Sequence, residues 1–251
     1  MPDLWRSAEA ASERFASQAV AYDRYRPRYP EQLFDRLIDR AGLSPGAAVL
    51  EVGAGTGIAT EPLVERGLRV TAVEPASDMA SLARAKVGDR ATFLEDRFEH
   101  CTPGGPVALV AAFKTWHWVE PVAGLASVAR LLAPGGYLAL VWTEVTSWGE
   151  DPFEAHLATI FGAPWPKRLE QVDASLQPIR DDPRFDPIDI FHHPFARTLD
   201  GATYVAVTRT YGGNRTDDQL RAVQRVIDDE CGGSVTKREQ AVLYLARCNG
   251  P

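Results

Sequence analysis

His117 stands between Trp116 and Trp118, in a loop that follows the apolar run Val107–Ala112. An unperturbed imidazole titrates near neutral pH and can take a proton from a reacting group. Two acids lie upstream, Glu51 within one apolar run and Glu74 at the end of the next, Arg69–Val73. A carboxylate that ends the second strand of an open α/β sheet is placed to accept from two ribose hydroxyls. Between the acids runs Val49-Leu50-Glu51-Val52-Gly53-Ala54-Gly55-Thr56-Gly57-Ile58. It reads as a short strand, a glycine turn and the start of a helix at Ile58. Alternate glycines remove the Cβ atoms, so a ligand can approach the backbone and positive φ costs little. The helix N-terminus behind them offers unpaired N–H groups to an anionic group. A dinucleotide fingerprint would need glycine at position 58, and no Gly-Lys-Ser/Thr follows as in a Walker loop.

These residues, together with Leu131-Leu132-Ala133-Pro134-Gly135-Gly136-Tyr137-Leu138, resemble the class I S-adenosylmethionine-dependent methyltransferases. The three motifs occur in the family's order and at its usual spacing, and the resemblance covers most of residues 15–247. It implies an α/β fold: a Rossmann-like seven-stranded, mostly parallel sheet with helices on both faces, an antiparallel last strand and a small helical cap. It also implies S-adenosyl-L-methionine as cofactor. The segment Tyr22-Asp23-Arg24-Tyr25-Arg26-Pro27-Arg28-Tyr29-Pro30 is similar to the trans-aconitate-methyltransferase-like branch, with a type 11 methyltransferase domain. There it folds over the cofactor, which puts Tyr22 and Arg26 near the methionine carboxylate, where a buried anion wants a charge-assisted donor.

By the same resemblance, the cofactor is expected to meet Glu51, Gly53, Ala54, Gly55, Gly57, Glu74, Pro75, Met79, Arg97, Phe98, Phe113 and Lys114. Met79 would pack on the adenine face, where a soft thioether suits a flat ring; an ordinary core methionine is the alternative. Phe98-Glu99 matches a pair common in the branch. Asp96 is a further candidate for the adenine amino group, one residue out of register. Lys114 stands where glutamine is frequent, and a cation beside a sulfonium is unfavourable, so its ammonium is expected to turn to a carboxylate or solvent. Trp116, His117, Trp118, Trp142 and Tyr211 are expected to wall the acceptor pocket, since aromatic faces tolerate a nearby cation. Core packing is the competing reading for each ring. His117 is the candidate catalytic base, or else a histidine that orients its loop.

The elements that must position these groups follow in order. Residues 5–25 are weakly helical. Two prolines, 27 and 30, force an extended path, and a helix is expected over 31–41, stopped by Gly42. Strands are expected at 47–52, 69–73, 91–94, 107–112, 137–142, 188–195 and 241–247. Helices are expected at 58–66, at 77–87 with Ser77 as N-cap, and at 122–132, 200–211 and 216–230. Prolines 152, 164, 166, 178 and 183 mark about 147–187 as a cap inserted after strand five. One domain, 1–251, is expected, with 1–30 as a cofactor cover.

The chain has 251 residues, of which 45% are hydrophobic, and a net charge of −7 with no dense basic run. That argues against a dedicated nucleic-acid binder. Cys101, Cys231 and Cys248 form no CxxC pair and no metal pattern, so free thiols in a reducing cytoplasm and no metal are expected. No apolar run reads as a signal peptide or a membrane span. The function expected is methyl transfer to a small-molecule acceptor, oxygen slightly favoured, by a cytoplasmic monomer or homodimer without nucleic-acid or membrane partners. The alternatives are non-methylating use of the same cofactor, such as cyclisation, and a nicotinamide oxidoreductase. Ile58 and Pro75 disfavour the latter.

Overall fold

A computed structural model describes residues 7–102, 104–146, 151–162, 168–212 and 215–249. Helices α1 (Ala8–Ala16) and α2 (Ala19–Tyr25) precede the proline segment. Helix α3 (Glu31–Ala41) starts directly after Pro30 and ends at Gly42, whose φ of 61° closes it in the left-handed region. Its apolar positions put Leu33, Phe34 and Leu37 fully inside. Then follow β1 (Ala48–Val52), α4 (Thr60–Glu65), β2 (Arg69–Val73), α5 (Ser77–Val87), β3 (Ala91–Leu94) and β4 (Val107–Phe113). After these come α6 (Pro121–Leu131), β5 (Leu132–Val145), α7 (Pro152–Phe161), α8 (Arg168–Asp181) and β6 (Asp189–Asp200). The chain closes with α9 (Gly201–Thr210), α10 (Asp217–Arg225) and β7 (Ser234–Arg247).

The strands form one sheet in the order β3-β2-β1-β4-β5-β7-β6. Strands β1 to β5 pair in parallel, and β7 runs antiparallel to both β5 and β6. This is the expected seven-stranded Rossmann-like sheet with an antiparallel last strand. Period-two alternation splits β1 between two cores: Leu50 and Val52 face one, Val49 the other. Helices α6 and α8 cover the first face through Leu125, Val128, Leu131, Val172, Leu176 and Ile179. The second face is covered by α3 and by Leu63 of α4.

Several boundaries differ from expectation. Helix α4 begins at Thr60 rather than Ile58, because residues 53–59 are spent on the glycine turn. Strands β6 and β7 are longer than expected because they go on pairing beyond the end of β5, from Ala196↔Arg238 to Asp200↔Ser234. Polar residues dominate that extension, so alternation did not mark it. Helices α7 and α8, expected together in the cap, pack on different cores. Phe153 and Leu157 of α7 join Leu199, Tyr204, Val223, Ile227 and Val235 on the projecting β6–β7 ends. The apolar positions of α8 recur three and four residues apart and turn instead onto the sheet. Positions 147–150 and 163–167 of the expected cap lie outside the described residues.

Candidate active site

Strand order reverses between β1 and β4, and a crevice opens at the carboxyl ends of strands at such a switch point. Here it is a cleft of about 770 Å³, floored by Val52, Gly53, Gly55, Val73 and Glu74. The three glycines of the turn do different work. A Cβ on Gly53, at φ 63°, would overlap the Thr115 side chain from the end of β4. A Cβ on Gly55 would meet no protein atom, and Gly55 lines the cleft. Gly57 lets α5 approach: a Cβ there would lie 3.1 Å from the Ala83 methyl, and Gly57 does not line the cleft. Ala54 lies beside the smaller cavity beneath the turn.

Glu74 is built into this floor. Its Oε2 accepts from the Gly55 N–H at 2.8 Å and its Oε1 from the Ala76 N–H at 2.9 Å. Ala76, not Ser77, occupies the cap position of α5. Burial pushes the Glu74 carboxyl up, and these two N–H groups pull the other way. Each oxygen keeps a lone pair for a ligand hydroxyl.

Glu51 lies beneath the turn, 1% exposed, its Oε2 accepting from the Thr60 hydroxyl at 2.6 Å. Burial pushes its carboxyl up to about 8, with Glu74 adding to the rise and Thr60 opposing it. An unfolded glutamate ionises near 4.5, so between about pH 5 and pH 8 the folded protein holds a proton that the unfolded chain has lost. Glu51 therefore costs stability as pH rises through that window. Glu51→Gln should gain on the parent there, by up to about 1.4 kcal/mol per pH unit. Melting curves of both ligand-free proteins across pH check this; a constant difference would show that Glu51 ionises normally.

The N-terminal helices close one side. Asp23 of α2 accepts from the Thr56 hydroxyl at 2.8 Å and from Lys86 Nζ at 2.6 Å, and Lys86 also donates to the Thr56 carbonyl. Burial pushes the Asp23 carboxyl up, but these donors outweigh it and hold it low. The clip ties α2 and α5 to the glycine turn. One turn later, Arg26 is held between aromatic rings, its Cζ 4.5 Å from the Tyr22 centroid and 4.0 Å from that of Tyr211. Its Nη2 donates to the Thr210 carbonyl, while its buried Nε has no acceptor among the described residues.

The other walls come from Pro75, Met79, Arg97, Phe98, Phe113, Lys114, His117 and Trp118. Met79 is buried against Ala19 and Ala76 under the cover. Trp118 lies edge-on to Phe15 of α1, and the His117 and Trp118 centroids are 4.7 Å apart. Besides Glu51 and Ala54 beneath the turn, four further expected site residues lie outside the cleft lining. Trp116 backs the wall, tilted on Phe98 at 6.0 Å. Trp142 points into the sheet core against Tyr244, which corrects its expected place in the acceptor pocket. Asp96 turns outward, its carboxylate accepting from the Arg97 N–H, and Gly57 serves packing. Residues that sequence reasoning missed are Asp23, Lys86, Thr115, Glu99 and Arg215. Glu99 binds Arg97 and the Glu120 N–H across the cleft wall. The only sequence signal among them was the Phe98-Glu99 pair; the rest are contacts between distant segments.

Cys101, Cys231 and Cys248 are free thiols. Among the described residues no helix is long and apolar enough to cross a membrane, and no cluster of His, Cys, Asp or Glu could hold a metal ion.

A family model described as a methyltransferase domain matches residues 22–207. An uncharacterized methyltransferase of Mycobacterium tuberculosis is 42% identical over 130 residues, covering 51% of this chain and 51% of that protein. Another, from Geobacillus kaustophilus, is 34% identical over 139 residues, covering 51% of this chain and 65% of that protein. The match thus spans about half the length of the first relative and under two thirds of the second. A methyltransferase from Thiobacillus denitrificans, solved with S-adenosyl-L-homocysteine, shares the fold with a TM-score of 0.52 at 15% identity, over 89% of this chain and 93% of that one. A protein of Anaeromyxobacter dehalogenans assigned as a type II methyltransferase gives 0.62 at 21% identity, over 90% and 99%. The family match runs from Tyr22 into α9, through six of the seven strands and the whole glycine turn, so the chain belongs to the class I S-adenosylmethionine-dependent methyltransferases.

Proposed function

We propose that this protein transfers a methyl group from S-adenosylmethionine to a small-molecule acceptor, with oxygen favoured as the attacking atom. The observation that carries the reading is the pairing of two groups at the cleft: Glu74, with lone pairs to spare, and Arg26, with a buried Nε donor that lacks an acceptor among the described residues. A nucleoside ribose answers the first and an amino-acid carboxylate the second, and S-adenosylmethionine carries both. The cleft volume of about 770 Å³ lies within the usual range for small-molecule sites, roughly 300–1,000 Å³.

When bound, the cofactor supplies a methyl group on a positively charged sulfur, a good leaving group. The protein's share is then alignment and exclusion of water, and proximity can supply roughly 7–11 kcal/mol in favourable cases. Glu74 would hold the ribose, Arg26 the carboxylate, and Met79 with Phe98 the adenine. Phe15 and Trp118 would shut out solvent from the side of α1. His117 would take the proton from an acceptor hydroxyl. The Thiobacillus neighbour, solved with S-adenosyl-L-homocysteine, supports the choice of donor.

Calorimetric titration tests this directly. S-adenosylhomocysteine should bind at one site, and reduced nicotinamide adenine dinucleotide should give no heat. The opposite outcome would replace the proposed donor with a nicotinamide.

A further inference from the structure

Thr56, between Gly55 and Gly57 of the turn, is fully buried, and its hydroxyl and carbonyl are both engaged. The hydroxyl donates to Asp23 Oδ1 at 2.8 Å, and the carbonyl accepts from Lys86 Nζ at 2.8 Å. Lys86 Nζ also reaches Asp23 Oδ1 at 2.6 Å, and Arg28 Nη1 lies 3.4 Å from the same oxygen. Three segments thus meet at one carboxylate: α2, the glycine turn and the last turn of α5. The Lys86 and Asp23 side chains are 14% and 28% exposed, so water screens this pair less than it screens a surface pair.

The cover that the clip holds reaches over the cleft. Phe15 of α1, Tyr22 of α2 and Arg26 all line it. Elsewhere the cover rests on small contacts. Arg26 donates to the Thr210 carbonyl, a modest apolar cluster centres on Ala19, Ala76 and Met79, and Phe15 meets Trp118 edge-on with centroids 6.4 Å apart. Asp23, Thr56 and Lys86 do not line the cleft. All partners in the clip are protein groups, so a bound donor adds no bond to it and takes none away. A contact made equally in two states shifts no equilibrium between them. It can still set the barrier to lifting the cover.

We propose that Asp23 and Lys86 are positioning residues that latch the cover, and that this latch opens for the donor to enter and for its demethylated product to leave. The inference rests on the donor reading above, in which Tyr22 and Arg26 lie over the methionine end of the cofactor. Affinity then belongs to the groups that touch the donor, Glu74 and Arg26. The clip governs the rate of exchange, a step that limits turnover in many enzymes with mobile covers.

Association and dissociation rates of S-adenosylhomocysteine on the immobilised full chain test this. Asp23→Asn and Lys86→Met each weaken a charge-assisted contact and should raise both rates by about tenfold. The dissociation constant should stay within about threefold of the parent, because the clip is the same in both states. The double variant should be little faster than the faster single variant, since both changes open one latch. Lys86→Arg keeps a charged donor and should stay nearer the parent. Asp23→Glu keeps the charge but displaces it, and should raise both rates on a smaller scale. Arg180→Gln, which breaks an exposed pair with Asp173 on α8, should alter neither rate. Faster dissociation with unchanged or slower association would make the clip a brace for the glycine turn alone and overturn the proposal. Unchanged rates in Asp23→Asn and Lys86→Met would overturn it as well. If S-adenosylhomocysteine fails to bind the parent protein, the donor reading has failed instead, so the two failures are distinct.

Discussion

Glu74→Ala should weaken S-adenosylhomocysteine binding by about 100-fold or more. Two hydrogen bonds from ribose hydroxyls to a carboxylate are each worth roughly 1.5–3 kcal/mol, and about 1.4 kcal/mol is a factor of ten. The structure adds a second cost. The carboxylate also accepts from the Gly55 and Ala76 N–H groups, so alanine leaves two donors short of a partner beneath the turn. Each such loss costs roughly 1–3 kcal/mol of stability. Calorimetry and thermal melting on the same preparations separate the two effects. Glu74→Gln keeps one acceptor oxygen and should melt nearer the parent, yet it lacks the charge and should still bind weakly. Unchanged affinity in both variants would take Glu74 off the ribose.

His117→Ala should lower turnover by about 10²–10⁴-fold, the usual contribution of a positioned base. Donor affinity should move far less. The side chain lines the cleft with its ring beside Trp118, and it is carried on a tight turn whose Trp118 N–H donates to the Thr115 carbonyl at 2.9 Å. That turn is held at its other end by Trp116, buried against Phe98. The imidazole is therefore presented by a braced turn, and on the proposed reading truncating it removes the proton acceptor while the turn's backbone bonds remain. Glutamine can keep a hydrogen bond but cannot take the proton. With a known acceptor, the pH–rate profile of His117→Gln should lose its limb near neutrality. A fully active glutamine variant with an unshifted profile would leave His117 only an orienting role.

Most of the site's floor was legible in the sequence because it is local. The turn at Gly53, Gly55 and Gly57 needs backbone without Cβ atoms, and Glu74 ends a strand of the expected length. Helix α3 was legible for the same reason: Pro30, the spacing of Leu33, Phe34 and Leu37, and Gly42 all act within a few residues. The parallel order of β1 to β5 follows from alternating strand and helix patterns, and β7 took its expected place between β5 and β6.

Tertiary structure decided which rings face the cleft. Trp116, Trp118 and Trp142 look alike in sequence, but strand and turn geometry sends Trp142 into the core against Tyr244, Trp116 behind the wall and Trp118 to the surface of the cleft. It also decided the electrostatics. Asp23, Thr56 and Lys86 are far apart in the chain and meet only when α2 and α5 pack on the glycine turn. Glu51 looks like an ordinary strand acid until burial beneath that turn raises its pKa. Arg26, Lys114, Arg215 and Lys237 come from the end of α2, the end of β4, the segment after α9 and β7, and only the folded chain draws them around Tyr211. Local backbone demands can be read from neighbouring residues. The surroundings of a charge or a ring depend on segments that the chain brings together from a distance.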